Sequence, residues 1–253
     1  MTSHQWTQGN TARAALKLLL SLSLIASVLI VGLENAAHAA NVSTVTEAAT
    51  FPVDAQSLGL STLTVNLQKV GDLVIFQSHF HTQSIRVTGV TSPKTGAWQL
   101  AQRYVDTKNG VITEEIWWAV ATATGSTTIT ATYSASVAAL SPELTADSFT
   151  SSVPSTWSFV SGSGAAASST TAIAFPSVTS GAATNQVYWG FAQSTQTAAR
   201  GSTSGFTYTP TPSGNLITFN DALSPNTAYA PTASEPPSSN TTSIAAIFAA
   251  TPN

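Results

Sequence analysis

Residues 70–91, VGDLVIFQSHFHTQSIRVTGVT, decide the fold of this chain. They hold two short runs rich in Val, Ile, Phe and Thr, at 72–82 and 85–91, and Gly71 stands where a turn would lead into the first. β-Branched and aromatic residues fit a pleated, half-buried surface, and short runs bounded by turn residues are typical of strands. The stretch therefore predicts two consecutive β-strands.

The same pattern continues along the chain from Asn41. Short apolar or alternating runs are separated by Gly, Pro, Ser and Asn, and no stretch after residue 40 is both long and periodic at 3.6 residues. We predict an all-β fold, an antiparallel β-sandwich that is jelly-roll-like rather than of the smaller immunoglobulin type. The predicted strands are 43–51, 61–67, 72–82, 85–91, 98–105, 112–121, 127–133, 144–150, 156–160, 170–175, 186–192, 206–210, 215–219 and 243–249.

Residues 41–253 are predicted to form a single domain. The Ser-, Gly- and Ala-rich stretch 150–169 leaves open a division into two β domains. That stretch is short for a linker, and strand-like residues such as Trp157 to Val160 lie within it, which favours one domain.

The first forty residues have the features of a helical signal peptide. Arg13 and Lys17 form a basic region, residues 18–31 form an apolar core, and Ala37 and Ala39 provide a small-x-small cleavage pattern. An uncleaved signal-anchor is the alternative. We expect cleavage after Ala39 or Ala40 and a secreted, extracellular product that meets the membrane only before cleavage.

The composition of the remaining chain excludes several function classes. There is no cysteine and the only methionine is Met1, which removes disulfides, thiolate nucleophiles and Cys-ligated metals. Charged residues are 8% of the chain against roughly 25% in typical proteins, and Lys and Arg form no cluster, so a nucleic-acid partner is not expected. From Ser148 onward the only charged residues are Arg200, Asp221 and Glu235, which argues against an enzyme.

His79 and His81 are the only histidines after the signal peptide. At i and i+2 on a strand they share one face, a geometry that could bind zinc or copper with Glu114 or Glu115 as a third ligand. The competing interpretation places both histidines in a solvent-facing polar row with Gln77 and Gln83. Glu114 and Glu115 cannot form a two-carboxylate glycosidase pair with each other, since adjacent strand residues point to opposite faces.

Two tandem aromatic pairs are the candidate binding residues: Trp117 with Trp118, and Tyr188 with Trp189. Alternation sends the two rings of each pair to opposite faces, so that one ring could stack on a sugar outside while its neighbour lies in the core. The alternative is that both faces are covered at these points.

The run VGDLVIFQSHFHTQSIRVTGVT, followed by EEIWWAVATATGSTTITATYS, resembles uncharacterised secreted bacterial β-sandwich proteins with a GDL strand, a Trp-bearing strand and a Thr-rich strand. The resemblance implies the fold and export, and no activity. We therefore expect a secreted, non-catalytic protein that acts by surface contact, through glycan binding or as part of a cell-surface or matrix layer, with no cofactor. Self-assembly through edge strands is compatible with this expectation. The alternative is a metal-assisted or two-carboxylate hydrolase centred on His79, His81, Glu114 and Glu115.

Overall fold

We describe residues 44–50, 58–107, 112–193 and 200–253 of a computed structural model, with the backbone alone of Thr50 and Arg200. The predicted signal peptide lies outside the described residues. All regular elements in this part of the chain are β-strands, numbered in chain order, and every paired strand is antiparallel, so the all-β prediction is confirmed. No helix among the described residues is long and apolar enough to cross a membrane.

A five-stranded sheet lies in the middle of the fold. All eight residues of its central strand are buried, because the strand pairs on both edges and is covered on both faces. A strand buried on both faces reads as a continuous apolar run, as Leu73 to Phe76 does. In spatial order the strands are β1 (Val45–Thr50), β8 (Glu143–Ser151), β3 (Leu73–Phe80), β6 (Ile112–Val120) and β5 (Gln99–Asp106).

A three-stranded sheet covers one face of the five-stranded sheet. Its inward residues alternate with exposed ones, as in β2, where Leu63, Val65 and Leu67 are buried. These side chains pack against Phe76 and Trp117 of the five-stranded sheet in one apolar cluster. In spatial order the strands are β2 (Thr62–Leu67), β7 (Gly125–Tyr133) and β4 (Val87–Thr91).

A six-stranded sheet covers the opposite face. Its Trp189, Phe191 and Phe248 pack with Ile75 and Trp118 in a second apolar cluster. The strands are β12 (Arg200–Gly201), β16 (Thr232–Pro252), β11 (Gln186–Gln193), β14 (Leu216–Asn220) and β13 (Thr207–Pro210), with β9 (Ser155–Ala174) paired to β16.

A small two-stranded sheet, β10 (Val178–Thr179) with β15 (Ala228–Tyr229), lies over the outer face of the six-stranded sheet. Val178 and Tyr229 pack there with Tyr188 and Ile247. Both faces of the six-stranded sheet therefore carry apolar contacts.

Strands β9 and β16 are the longest, with 20 and 21 residues, and they pair along almost their whole length. Strand β9 pairs with no other strand among the described residues. Its inner face lies against β5: a Cβ atom added to Gly164 would come within 2.2 Å of Tyr104 Cγ, so only glycine allows this approach. The edge of β9 that faces away from β16 thus forms one border of the six-stranded sheet.

The stretch 150–169 differs from the predicted strand pattern. It is the end of β8 and most of β9, because its small residues pair with β16 instead of separating two strands or forming a linker. The described strands form four sheets. Ser43–Asn253 nevertheless groups into one compact unit.

Candidate functional site

The two aromatic pairs alternate as predicted but have no exposed member. Trp117 packs toward the three-stranded sheet and Trp118 toward the six-stranded sheet, with only 8% and 5% of their surface exposed. Tyr188 and Trp189 are completely buried. Of the two interpretations, the structure therefore has the one in which both faces are covered at these points, and no ring of either pair is available to stack on a sugar outside.

His79 lies inside the molecule, on the face of β3 that meets the six-stranded sheet. It is completely buried, its ring centroid lies 5.7 Å from that of Phe191 in β11, and neither ring nitrogen has a hydrogen-bond partner among the described residues. His81 follows the end of β3 and is exposed, with its ring 5.1 Å from that of His79. The expectation that both histidines belong to a solvent-facing row is therefore wrong for His79 and for Gln77, which is also buried.

Glu114 is the closest ionisable neighbour of His79. Its Oε1 lies 3.6 Å from His79 Nδ1, and both side chains are completely buried. Burial lowers the pKa of His79 to about 4, although the nearby Glu143 opposes this shift. Burial also raises the pKa of Glu114 well above its usual value, and the backbone amide of Gln193 only partly offsets it. Both shifts favour the uncharged form of the group concerned, so burial works against an ion pair at this contact.

Three further buried carboxyl groups in the same layer are tied to the six-stranded sheet. Glu143 accepts a hydrogen bond from Asn215 Nδ2, and Asp147 accepts one from the indole Nε1 of Trp189. Asp106 Oδ2 accepts a hydrogen bond from Thr242 Oγ1 at 3.0 Å. Each of these hydrogen bonds joins the five-stranded sheet to a residue in or next to a strand of the six-stranded sheet. The polar groups therefore fix the position of the two sheets relative to each other. We call the set His79, Asp106, Glu114, Glu143 and Asp147 the polar layer.

The polar layer does not have the form of a metal site. Within the described ranges no group of three or more His, Asp or Glu side chains is placed to hold a metal ion. Of the predicted set, His79 lies beside the exposed His81 and the buried Glu114, whereas Glu115 lies on the other face of β6. What the arrangement does is join the five- and six-stranded sheets through buried hydrogen bonds.

Glu115 lies beneath the three-stranded sheet, and each oxygen of its carboxylate accepts two hydrogen bonds. Its Oε1 accepts hydrogen bonds from Val87 N and Arg103 Nε, both at 2.9 Å. Its Oε2 accepts hydrogen bonds from Trp117 Nε1 at 2.9 Å and Arg103 Nη2 at 3.1 Å. This one carboxylate therefore links β4, β5 and β6.

Arg103 also borders a cleft of about 510 Å³ at the end of β3. The wall comes from the segment between β3 and β4, from β5 and β6, and from the residues after β7. We call it the arginine cleft. Its lining residues are Gln83, Ser84, Ile85, Arg86, Arg103, Val105, Thr113, Ser134 and Ala135.

Sequence reasoning missed both the polar layer and the arginine cleft. Their members are far apart in the chain, for example Asp106 and Thr242, or Arg86 and Arg103, so no spacing marks them. One signal was available: the unbroken apolar run from Leu73 to Phe76 indicates a strand covered on both faces, which would place His79 inside. No protein-family model, curated protein or solved structure matches this chain, so the function is argued from geometry alone.

Proposed function

We propose that this protein is exported and acts outside the cell by non-catalytic surface contact, as a cohesive component of a cell-surface or matrix layer that associates with further copies of itself. The observation that carries the proposal is strand β9, twenty residues long and paired along one edge only among the described residues. The export part rests on the leader pattern of residues 1–40.

The composition of β9 favours association. An edge strand presents unpaired N–H and C=O groups, and natural proteins protect such edges with charges, prolines or short length. Strand β9 has no charged residue and no proline, and its stretch 161–167 consists only of Ser, Gly and Ala. A second copy could therefore pair antiparallel with this edge without like-charge repulsion and without bulky side chains in the way.

The strand order supports a jelly-roll core for residues 45–151. The five-stranded sheet contains the order β1-β8-β3-β6, and the three-stranded sheet has the order β2-β7-β4. This interleaving of early and late strands in two facing sheets is what a jelly roll requires. In the proposal the six-stranded sheet packs on this core, and its strand β9 makes the contact with a second copy of the chain.

Sedimentation of the mature chain, residues 41–253, tests the association. Gly162 and Gly164 face β5, so Ala165 and Ala167 lie on the other face of the strand. We expect the wild type to form dimers or larger species as concentration rises, and Ala165→Lys/Ala167→Lys to remain monomeric because lysines would meet across the new pairing.

Ser126→Lys/Thr128→Lys is the matched control. It adds the same charge on the exposed face of β7, which is the central strand of its sheet, and should associate like the wild type. A wild type that stays monomeric at every concentration would contradict the proposal, and so would a β9 variant that associates normally. Export is tested separately by N-terminal sequencing of protein from the culture medium, where the mature chain should begin at Ala40 or Asn41.

A further inference from the structure

We propose that the arginine cleft binds a carboxylate-bearing sugar, with Arg86 and Arg103 receiving the carboxylate and the remaining lining contacting the sugar ring. The proposal concerns a different surface from strand β9 and does not depend on association of the chain.

The cleft concentrates positive charge in a chain that has little of it. Four cationic side chains are described, Lys69, Arg86, Lys94 and Arg103, and two of them line this one cleft. No Asp or Glu contributes to the lining. The local charge therefore favours an anion, against a formal net charge of −3 for the whole chain.

Arg103 is positioned in advance for this role. Its Nε and Nη2 donate to Glu115, and Nη2 also donates to the carbonyl oxygen of Val87 at 3.1 Å. Its side chain is 30% exposed, and Nη1 makes no hydrogen bond with a described residue. A guanidinium held in this way loses little side-chain entropy on binding, and its Nη1 can donate a charge-assisted hydrogen bond to one oxygen of a carboxylate.

Arg86 supplies charge that is not compensated. The carboxylate of Glu115 is shared among Arg103, Trp117 and a backbone amide, whereas the exposed Arg86 side chain forms no ion pair with any described acidic residue. Two guanidinium groups against one buried carboxylate leave the cleft with a net positive charge. Charge-assisted hydrogen bonds from arginine to a carboxylate are among the stronger ones that proteins form.

The remainder of the lining suits a sugar ring better than a bare anion. Gln83, Ser84 and Ser134 are exposed and offer an amide and two hydroxyl groups, while Ile85 and Val105 offer an apolar surface. A pyranose ring presents hydroxyl groups at its rim and C–H bonds on its face, and so matches this mixture. The volume of about 510 Å³ falls within the range of roughly 300 to 1,000 Å³ that is usual for small-molecule sites.

Calorimetric titration of the mature protein with sodium D-glucuronate tests the proposal, with D-glucose and sodium acetate titrated in parallel. We expect glucuronate to bind more tightly than either comparison compound, because only glucuronate carries both the charge and the ring. Arg86→Gln should weaken glucuronate binding by about tenfold, the loss of one charge-assisted hydrogen-bonding partner.

Lys69→Gln is the control variant, since it removes the same charge before the start of β3, at the other end of the strand from the cleft. It should bind like the wild type, and so should Ala165→Lys/Ala167→Lys, which separates this result from the test of association. Three results would overturn the proposal: no glucuronate binding, glucose binding as tightly, or acetate binding as tightly. Equal weakening by Arg86→Gln and Lys69→Gln would also overturn it, because the effect would then be one of net charge.

Discussion

Glu114 and Glu115 are neighbours in β6, and both carboxyl groups are completely buried, yet they lie in layers of opposite character. Glu115, beneath the three-stranded sheet, has an arginine and two further donors. Glu114, beneath the six-stranded sheet, meets an uncharged histidine and lies near Asp106 and Glu143, both of which raise its pKa. The comparison teaches that two equally buried carboxyl groups can have very different electrostatic surroundings, because those surroundings depend on which donors and charges the facing strands supply.

Replacement of Glu115 should have the largest effect. Glu115→Gln removes the charge that faces Arg103, and because an amide has one acceptor oxygen where the carboxylate has two, either Val87 N or Trp117 Nε1 loses its acceptor. We expect the free energy of unfolding at pH 7 to fall by about 3 to 5 kcal/mol, as when a buried ion pair loses one partner. Glu114→Gln, measured beside it by urea unfolding, should change the free energy by less than about 1 kcal/mol, because the surroundings of Glu114 already disfavour its charged form. Equal losses in the two variants would contradict the comparison.

Acidification should weaken the polar layer through His79. The unfolded chain protonates this histidine near pH 6.5, whereas the folded protein does so only near pH 4. Lowering the pH through this window therefore favours the unfolded state, by roughly 3 kcal/mol at about 1.4 kcal/mol per pH unit. His79→Leu should not show this loss. Both the wild type and this variant keep Glu114, so the difference between their curves reports on His79. Unfolding free energies of both between pH 7 and 4 provide the measurement, and parallel curves would refute the expectation.

Replacement of Glu114 by an apolar residue should stabilise the protein. The raised pKa means that the folded state holds a proton on Glu114 while the unfolded state releases it above about pH 4.5, so this group costs stability as the pH rises. Glu114→Leu should raise the free energy of unfolding by about 1 to 2 kcal/mol at pH 7, and by less at pH 4. Thermal melts at the two pH values check the sign, and a loss of stability at pH 7 would count against the raised pKa of Glu114.

The smallest effect is expected from the tryptophan pair. Trp117→Phe removes the indole hydrogen bond to Glu115, whereas Trp118→Phe trims a ring packed on Phe248 with a centroid distance of 5.8 Å. The two substitutions remove similar volume, so their difference isolates the hydrogen bond. Trp117→Phe should be the more destabilising by about 1 kcal/mol in urea unfolding. Equal losses in the free energy of unfolding would mean that the hydrogen bond from Trp117 to Glu115 adds no net stability.

Much of the strand pattern was predictable from the sequence. Leu73 to Phe80, Ile112 to Val120 and the alternating Thr62 to Leu67 are rich in strand-forming residues, and the alternation that separates Glu114 from Glu115 follows from strand stereochemistry. The continuity of β9 through its Ser-, Gly- and Ala-rich stretch was not predictable, because those residues have weak strand preference and gain their structure from pairing with β16.

The candidate sites were predicted in part. His79 and Glu114 were identified together, and they do lie side by side, although in the core and without a third ligand. The two rings of each aromatic pair were predicted to point to opposite faces, and the alternative in which both faces are covered is the one that holds for Trp117 and Tyr188. The arginine cleft was missed altogether, since Arg86 lies in the segment between β3 and β4 whereas Arg103 lies in β5.

By itself the sequence determined the β class of the chain, the absence of cysteine that leaves cohesion to burial and hydrogen bonds, and the division of neighbouring side chains between two faces. These are local properties, set by backbone stereochemistry and residue type within a few positions. Only the tertiary structure decided what covers each face: that Glu115 meets Arg103, that Glu114 meets His79, and that β9 borders the six-stranded sheet. The reason is physical, because alternation specifies that two residues share a face, whereas the dielectric and the partners on that face come from strands distant in the chain.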